Sequence, residues 1–335
     1  MTPTIDTIAE KAEVSAKTVS LVLNNRPFVS ERTKQKVYKV INELKYQPHI
    51  VARELSVQKT KNIAFFFWFA PNRLSVDHFY HEVFEGIAAE AHRQEYHLMF
   101  ISPEEEFVGV DLPLEMARSR KIEGMILAAN LEDSMLEALN NEKFPTVLIQ
   151  QDAIGDKVSS VIVDDNKGGY EAASYLISLG HNRIGLIGRN SEGSILKRID
   201  GYKQALQDNG INYEEELIRE SENGVETGYK AMKEYLVRMK ELPTAIFATT
   251  DLTAIGAMRA IKEKGMKVPD DISIIGYDDV TISSYIDPPL TTMRIRKQEL
   301  GREAVSELIR LLEDKEGKRI ILQAELIVRG TCRKI

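Results

Sequence analysis

The feature that most constrains the fold of this 335-residue chain is the alternation of short apolar runs with longer amphipathic segments from Lys61 onward. Short apolar runs are typical of buried strands, and the segments between them have the length and spacing of helices. We predict strands over 62–69, 96–101, 123–128, 145–150, 183–188, 244–249 and 272–277. We predict helices over 79–94, 132–141, 165–179, 195–209, 225–238 and 251–263. This alternation indicates parallel sheets covered by helices, with ligands at the carboxyl ends of the strands.

The number of these units favours two sheets. At least seven strand–helix units fill the roughly 270 residues after Lys61, more than one hydrophobic core usually spans. Several predicted helices end in glycine, at Gly180, Gly210 and Gly265, the residue best suited to a left-handed helix terminus. We therefore predict an α/β core with two parallel-sheet subdomains.

The first 45 residues predict helices only. Three stretches, over 5–12, about 16–24 and from Ser30 to about Lys45, carry apolar residues at helical spacing. Ser15 and Ser30 stand where a hydroxyl can cap the second and third helices. Three short helices with a tight first turn form a helix-turn-helix, although a three-helix protein-interaction bundle would show the same periodicity.

Charge separates this head from the rest of the chain. The whole chain has 44 basic and 51 acidic residues, a net charge of −7 that by itself argues against a nucleic-acid binder. Residues 1–60 hold ten basic and six acidic side chains, a balance of +4, and the remaining 34 basic and 45 acidic residues give −11. A basic head on an acidic body indicates an interaction module joined to a larger core.

A helix-turn-helix places the start of its second helix in the DNA major groove. The exposed positions expected there are Ala16, Lys17, Ser20 and Leu21. Lys17 can reach a guanine edge or a phosphate, whereas Ala16 and Leu21 can contact thymine methyl groups. Phosphates, which position the protein without specifying sequence, suit Thr18, Asn24 and the start of the third helix near Ser30.

Composition and missing motifs exclude other classes. The single cysteine, Cys332, excludes an internal disulfide framework, and no apolar run is long enough to span a membrane. The chain starts without the apolar stretch of a secretory signal, so we expect the cytoplasm. There is no GxxxxGK[ST], no GxGxxG after a strand and no GxSxG, and His78 with His81 lacks the other ligands of a zinc site. We expect no cofactor, no metal and no catalysis.

The head resembles the amino-terminal module of the LacI/GalR family of bacterial transcription regulators. The resemblance rests on TIxxIAxxAxVSxxTVSxVLN, VSxxTxxKV and LxYxPxxxAxxL, which follow one another in unbroken register over residues 4–55. Two positions depart from the family pattern: Glu13 stands where a glycine is usual, and Leu21 stands where an arginine often follows TVS. The resemblance implies DNA binding, and these departures put the usual operator sequence in doubt.

Residues 48–56, PHIVARELS, resemble the family's hinge helix, which pairs with its dimer mate on DNA. Leu55 holds the position of a leucine that wedges into the minor groove, and such a wedge costs a few kcal/mol of base unstacking that the bent DNA's extra contacts offset. A plain apolar linker residue is the alternative for Leu55. The resemblance gives this set of DNA-contacting residues in the head and hinge: Thr4, Ser15, Ala16, Lys17, Thr18, Ser20, Leu21, Asn24, Phe28, Ser30, Tyr46, His49, Val51, Ala52 and Leu55.

The remainder resembles the family's core, which has the fold of periplasmic sugar-binding proteins. Matching pieces are LGHNRIGLIG, RxxGY, PTAIFATTDLTAIGAMRAI, VPDDISIIGYDD, PPLTT and ELIVRGTC. The implied fold is an all-α helix-turn-helix head plus an α/β core of two parallel-sheet subdomains. We expect the head over 1–47, the hinge helix and linker over 48–60, and an effector-binding and dimerisation core over 61–335. Within the core, we expect subdomain one at about 61–162 and 292–322, and subdomain two at about 163–291 and 323–335.

The resemblance also assigns residues to the cleft between the subdomains. Arg198 stands where the family places a ligand-binding arginine, whose guanidinium suits vicinal hydroxyls, carboxylate or phosphate. Asp278 follows a strand end and would accept sugar hydroxyls. The other expected effector contacts are Phe69, Phe79, Gln150, Asn223, Thr250 and Asp251. Arg198 and Asp278 could instead form an ion pair between the subdomains, and the aromatic residues of FFFWF could pack in the core.

The resemblance implies a DNA-binding regulator, and we expect a repressor that binds a pseudo-palindromic double-stranded operator as a homodimer. An effector in the cleft, expected to be a sugar because most of the family senses sugars, would control operator affinity. Some members bind purines, nucleosides or a protein corepressor. One alternative is a solute-binding protein of the same core fold without a DNA role, which the head opposes. Another is a sugar- or nucleotide-processing enzyme, which the missing motifs oppose.

Overall fold

The computed structural model describes residues 4–23, 29–44, 60–67, 78–101, 111–129, 131–188, 193–221 and 224–335. The chain divides into two compact units, Met1–Thr60 and Lys61–Ile335. We call the first unit the head and the second the core. The hinge helix expected over 48–56 lies outside the described residues.

The head contains three helices, α1 (Ile5–Lys11), α2 (Ala16–Leu23) and α3 (Glu31–Glu43). They enclose a small core of the apolar side chains that the helical spacing predicted, namely Ile8, Ala9, Ala12, Val19, Val22, Val37 and Val40. Hydroxyls cap the helices, because Thr4, Ser15 and Ser30 accept hydrogen bonds from the backbone amides three residues later. Capping and the apolar stripes together fix where each helix begins.

The turn between α1 and α2 contains a residue in an unfavourable conformation. Glu13 has φ = 54°, in the left-handed region where glycine is the least strained residue. Its carboxylate forms an ion pair with Lys36 on α3, with 2.7 Å between the Lys36 Nζ and a carboxylate oxygen. The ion pair ties the turn to α3 at the position where the family pattern has a glycine.

The core is built from strands and helices that alternate along the chain. The strands are β1 (Asn62–Phe67), β2 (His97–Ile101), β3 (Gly124–Ala128), β4 (Thr146–Ile149), β5 (Val158–Val163), β6 (Ile184–Gly188), β7 (Ile218–Glu220), β8 (Ala245–Ala248), β9 (Ser273–Asp278), β10 (Thr291–Arg294), β11 (Arg319–Leu322) and β12 (Glu325–Ile327). The helices are α4 (His78–Arg93), α5 (Asp111–Arg118), α6 (Asp133–Glu142), α7 (Asp165–Ser178), α8 (Gly193–Asp208), α9 (Val225–Arg238), α10 (Asp251–Glu263) and α11 (Lys297–Leu311).

These strands form two sheets, each the centre of one lobe. Lobe one has the strand order β11-β5-β4-β3-β1-β2, and all its pairings are parallel. Lobe two has the order β12-β10-β9-β8-β6-β7, in which only β10 and β12 are antiparallel. The prediction of two parallel-sheet α/β subdomains is therefore confirmed, with one antiparallel edge strand added to the second.

The chain passes between the lobes three times, after β5, after β10 and after β11. The first and third passages lie near the predicted residues 163 and 322. The second does not, because residues 291–294 form β10 and pair with β9 in lobe two. The boundary expected at 292 therefore moves to the residues between Arg294 and Lys297, where α11 begins.

The last residues return to lobe two and complete it. The Thr331 hydroxyl donates to the carbonyl oxygen of Ile274 at 2.6 Å and accepts from the amide of Thr291. The amide of Ile335 donates to the carbonyl oxygen of Leu179 at 2.9 Å. Residues 331–335 thus connect β9, β10 and the end of α7.

Helices α7 and α8 pack backbone against backbone in lobe two. A Cβ atom on Gly201 of α8 would meet the carbonyl oxygen of Asn166 at 1.9 Å, and one on Gly169 of α7 would meet that of Arg198 at 2.0 Å. Only glycine allows this approach. The close packing fixes the height of Arg198 over the sheet.

Candidate DNA interface and effector cleft

Helix α2 presents a mixed surface opposite its buried residues Val19 and Val22. Lys17 is exposed, while Ser20 and Leu21 are half-buried. Ala16 differs from the expectation of full exposure, because its methyl group packs partly against the head core. Lys17 is therefore the exposed charged side chain of α2, and Leu21 is a partly exposed apolar one.

The other expected DNA contacts in the head are mostly capping groups. The Thr18 hydroxyl lies 2.9 Å from the Ser15 hydroxyl, at the start of α2. Thr4 and Ser30 are exposed at the starts of α1 and α3. Helix starts attract phosphates because their amides point outward. The remaining expected contacts, Asn24, Phe28, Tyr46, His49, Val51, Ala52 and Leu55, lie outside the described residues.

In lobe two, Arg198 of α8 stands at the centre of a buried polar cluster. Its Nε donates to the Asp165 carboxylate at 2.8 Å, and one terminal nitrogen donates to the carbonyl oxygen of Thr249 at 2.7 Å. The same nitrogen lies 3.1 Å from the carboxylate of Asp278. The guanidinium also stacks on the Tyr277 ring, 3.8 Å from its centre. These residues form what we call the arginine cluster: Asp165, Arg198, Thr249, Tyr277 and Asp278.

The cluster places one buried cation between two buried carboxylates. Burial raises the pKa of Asp278 to about 7, although Arg198 opposes this shift. Burial also raises the pKa of Asp165, against the same guanidinium. Burial alone would lower the pKa of Arg198, but Asp165 and Asp278 outweigh it, so that the pKa rises and Arg198 stays charged. Burial and the guanidinium of Arg198 therefore shift the pKa of these two carboxyl groups in opposite directions.

The ion pair of Arg198 and Asp278 lies entirely within lobe two. The alternative of an ion pair between the subdomains is therefore wrong for these two residues. Asp278 ends β9, so it lies at the carboxyl edge of the second sheet. Arg198 reaches the same edge, because it donates to the carbonyl oxygen of Thr249, the residue that follows β8. This is the edge at which parallel α/β sheets bind ligands.

Strained backbone marks the same edge in both lobes. Asp278 has φ = 108° and Asp279 φ = 50°, directly at the end of β9. Gln150 has φ = 62° at the end of β4 in lobe one, and its amide oxygen accepts from the Val163 amide at 2.9 Å. Such conformations cluster at functional sites because the surroundings must hold them in place.

Thr250 and Asp251 have structural partners instead of an open position. The Thr250 hydroxyl caps α10 through the amide of Thr253. Asp251 is completely buried, and its carboxylate accepts from the Val280 amide and from the hydroxyls of Ser283 and Thr292. Burial raises its pKa to about 6, against these hydrogen bonds. The expectation that Asp251 contacts an effector does not fit this geometry; Asp251 joins β10 and the Thr281–Ser284 turn to α10.

The described aromatic residues near the predicted cleft pack in or against the core. Phe65, Phe66 and Phe67 of β1 are completely buried, so this part of FFFWF packs in the core. Phe79 is partly buried and meets the Tyr80 ring edge-on at 5.1 Å. Trp68, Phe69 and Asn223 lie outside the described residues.

Three important residues were not predicted. Asp165 and Tyr277 surround Arg198, and Lys297 joins the lobes. Asp165 follows β5, where Ser159 and Ser160 interrupt the apolar run, so the sequence pattern did not show that Asp165 lies at a strand end. Tyr277 adjoins the predicted Asp278, but the alternation of a strand alone did not show which face it occupies.

Within the described residues, no helix is long and apolar enough to cross a membrane, and no three side chains of His, Cys, Asp or Glu group as a metal site requires.

Residues 4–49 match the bacterial regulatory proteins of the lacI family, and residues 173–332 match a periplasmic binding protein-like domain. The chain is 32% identical over 337 residues to the HTH-type transcriptional repressor PurR of Vibrio atlanticus (strain LGP32), covering 99% of both proteins.

Solved structures show the same similarity. The lac repressor dimer bound to operator and the anti-inducer ONPF superposes with a TM-score of 0.85 at 28% identity, over 99% of this chain and 100% of the other. The complex of the transcriptional regulator CelR with cellobiose gives a TM-score of 0.75 at 27% identity, over 98% and 99%. These relatives are regulators, so the expectation that the chain is not an enzyme is confirmed. The chain belongs to the LacI/GalR family and is a DNA-binding transcriptional repressor.

Proposed function

We propose that this repressor binds a small polar effector between its lobes, at the arginine cluster, and that the effector controls its affinity for the operator. The observation that carries the proposal is the buried guanidinium of Arg198, fixed by Asp165 and Asp278 at the carboxyl edge of the second sheet. Fixed donors and acceptors lower the free energy needed to order a site around a ligand. Gln150, at the corresponding edge of lobe one, is the proposed contact from the opposite side.

The charge of the cluster favours a neutral effector. Asp165 and Asp278 already compensate the guanidinium of Arg198, so little positive charge is left for a phosphate or carboxylate ligand. Hydroxyl groups can donate to Asp278 and accept from Arg198, and a sugar supplies both in adjacent positions. Among the similar proteins, CelR is described with cellobiose. We therefore propose a neutral sugar or polyol, with a nucleobase as the second candidate.

On DNA, we propose that the start of α2 enters the major groove of each operator half-site. Lys17 would supply a donor to guanine or phosphate, and Leu21 an apolar contact to thymine. The hinge helices, with Val51, Ala52 and Leu55, would hold the operator centre through the minor groove. A repressor acting in this way works in the cytoplasm.

A homodimer is proposed on two grounds. The lac repressor that superposes on this chain is described as a dimer. In this chain, Tyr285 is 78% exposed and Ile282 is 42% exposed on the one-turn helix Thr281–Ser284 and its end. Phe100 on the edge strand β2 is 42% exposed. Large apolar side chains on a protein surface are typical of contacts with a partner, and a second copy of the chain would cover them.

The effector would act by binding one arrangement of the lobes more tightly than the other. A ligand with equal affinity for both arrangements shifts nothing. Coupling free energies are typically about 1–3 kcal/mol, or roughly 5- to 150-fold in affinity. The sign is set by which arrangement favours operator binding, so the same cleft serves an inducer or a corepressor.

A ligand screen and a DNA-binding measurement test the proposal together. Thermal shifts with cellobiose, ribose, glucose and hypoxanthine identify a ligand, because a ligand that binds only the folded protein raises the melting temperature. Operator selection from a random duplex library at low and high salt then gives the affinity with and without that ligand. We expect one neutral ligand to stabilise the protein and to change operator affinity at least 5-fold. Selection of no sequence at low salt, with or without ligand, contradicts the proposal.

The hinge gives a separate test. Leu55→Ala should weaken specific operator binding, because the wedge that opens the base step is shortened, while ligand affinity stays as in the wild type. Val57→Ala removes apolar surface from the adjoining linker, at a residue outside the expected DNA contacts, and serves as its control. Equal operator affinities of Leu55→Ala and the wild type would contradict the wedge role.

A further inference from the structure

A buried lysine joins the two lobes beside the second passage of the chain. Lys297 is the first residue of α11, in lobe one, and only 3% of its surface is exposed. Its ammonium group donates to two carbonyl oxygens of lobe two, those of Asp278 at 2.7 Å and Asp279 at 2.9 Å. It also lies 3.6 Å from the carboxylate of Glu82 on α4, in lobe one.

These oxygens make the buried ammonium group tolerable only in one arrangement of the lobes. A charged group out of water needs fixed partners of opposite polarity. Here the carbonyl oxygens come from lobe two and the carboxylate from lobe one. A rotation of one lobe against the other would remove some of them and leave the charge poorly compensated.

The two carbonyl groups belong to the strained residues at the end of β9. Asp278 and Asp279 both have positive φ angles, so their peptide groups need external support to keep this orientation. Lys297 provides that support. Asp278 also points its carboxylate at Arg198, 3.1 Å away. Asp278 thus contacts Arg198 with its carboxylate and Lys297 with its backbone carbonyl oxygen.

We propose that Lys297 is the positioning residue that couples the arginine cluster to the relative orientation of the lobes. A change at the Asp278 side chain turns its carbonyl group relative to Lys297, and lobe one follows through α11 and Glu82. The role proposed for Lys297 is to position Asp278 and not to contact the effector. This proposal rests on the proposed function in one respect: the change at the Asp278 side chain is caused by an effector that binds at the arginine cluster.

The test measures lobe orientation and local opening in the full-length protein without ligand or DNA. Spin labels at Ser134→Cys in lobe one and Val237→Cys in lobe two, in a Cys332→Ser background, report the distance between lobes by double electron–electron resonance. Hydrogen exchange of residues 276–281 reports opening of the strained turn.

Lys297→Met should broaden the interlobe distances and speed exchange at residues 276–281 at least 10-fold. Lys297→Arg should keep both near wild type, since a guanidinium can donate to both carbonyl groups. Glu82→Gln should change the interlobe distances but leave exchange of the turn unaltered. Lys157→Met, which removes an ion pair with Asp314 inside lobe one, is the control and should change neither.

Wild-type distances in both Lys297→Met and Glu82→Gln would overturn the proposal. So would equal effects of Lys297→Met and Lys297→Arg, because they would show that Lys297 only fills space. If Lys297→Met does not fold, Glu82→Gln decides, since that side chain is 27% exposed and its replacement is nearly isosteric. Because neither operator nor effector is used, this result is independent of the tests of the proposed function.

Discussion

Replacing Arg198 with methionine is expected to destabilise lobe two by about 3–5 kcal/mol, as is usual when one partner of a buried ion pair is removed. The substitution removes the hydrogen bonds to Asp165 and Thr249 and the contact with Asp278. Both carboxylates then remain buried without a cation, which is the larger effect. Methionine keeps much of the apolar stem of arginine, so the loss reports mainly the charge.

Thermal unfolding followed by circular dichroism measures this loss, at one protein concentration because association changes the melting temperature. At roughly 2–4 °C per kcal/mol, the expected decrease is on the order of 10 °C. Arg259→Met is the matched control, since Arg259 is exposed in the same lobe and pairs with Glu263 at 3.2 Å. We expect this substitution to lower the free energy of unfolding by less than about 1 kcal/mol. Asp165→Asn in the Arg198→Met background should recover part of the loss.

The loss should also depend on pH. Burial already raises the pKa of Asp278 to about 7 and raises that of Asp165, and removing Arg198 raises both further. A carboxyl whose pKa is higher in the folded than in the unfolded state favours folding at low pH, and that contribution is lost as the pH rises through the folded pKa. Arg198→Met should therefore be closer to wild type at pH 5 than at pH 8. A loss independent of pH, or no larger than that of Arg259→Met, would refute the reasoning.

Three further substitutions test other features. Gly201→Ala should lower the melting temperature by several degrees, because its methyl group would meet a carbonyl oxygen of α7 at 1.9 Å, whereas Gly193→Ala in the same helix has no neighbour within 4 Å and should be neutral. Lys197→Ala removes an exposed ion pair with Asp152 at 2.8 Å that links the lobes; we expect interlobe distances to become less sensitive to salt, and an unchanged salt response contradicts the link. Glu13→Gly should slow hydrogen exchange in the head by relieving the left-handed backbone, and faster exchange would show that the ion pair with Lys36 outweighs the strain.

Most strands of the core could be predicted because a long buried strand appears in the sequence as a continuous apolar run. Strands β1 and β9 are of this kind. The strands that were not predicted are short or contain polar residues. β7, β11 and β12 have three or four residues each. β5 contains Ser159 and Ser160, and β10 begins with Thr291 and Thr292, which are buried and hydrogen-bonded. A threonine that faces a buried carboxylate cannot be told from a surface threonine by hydropathy. The second passage between the lobes, expected at 292 from the family resemblance, falls within β10.

The candidate site was predicted in part for a related reason. Asp278 could be placed at a strand end, Arg198 was assigned to the cleft by the family resemblance, and the structure brings the two together. Whether an acidic residue at a strand end faces the cleft or the interior depends on its partners in distant segments. Asp251 is turned inward by Ser283 and Thr292, which lie 32 and 41 residues further along the chain. Such a long-range hydrogen-bond network has no local pattern in the sequence.

The return of residues 331–335 to lobe two has a consequence for synthesis on the ribosome. The head occupies the first 60 residues and can fold as soon as it emerges, since N-terminal units fold first. Lobe two cannot close until Thr331 has reached Ile274 and Ile335 has reached Leu179. At about 5–20 residues per second, the head precedes a complete lobe two by tens of seconds. During that interval the nascent chain presents a folded DNA-binding unit before the lobe that contains the arginine cluster is complete.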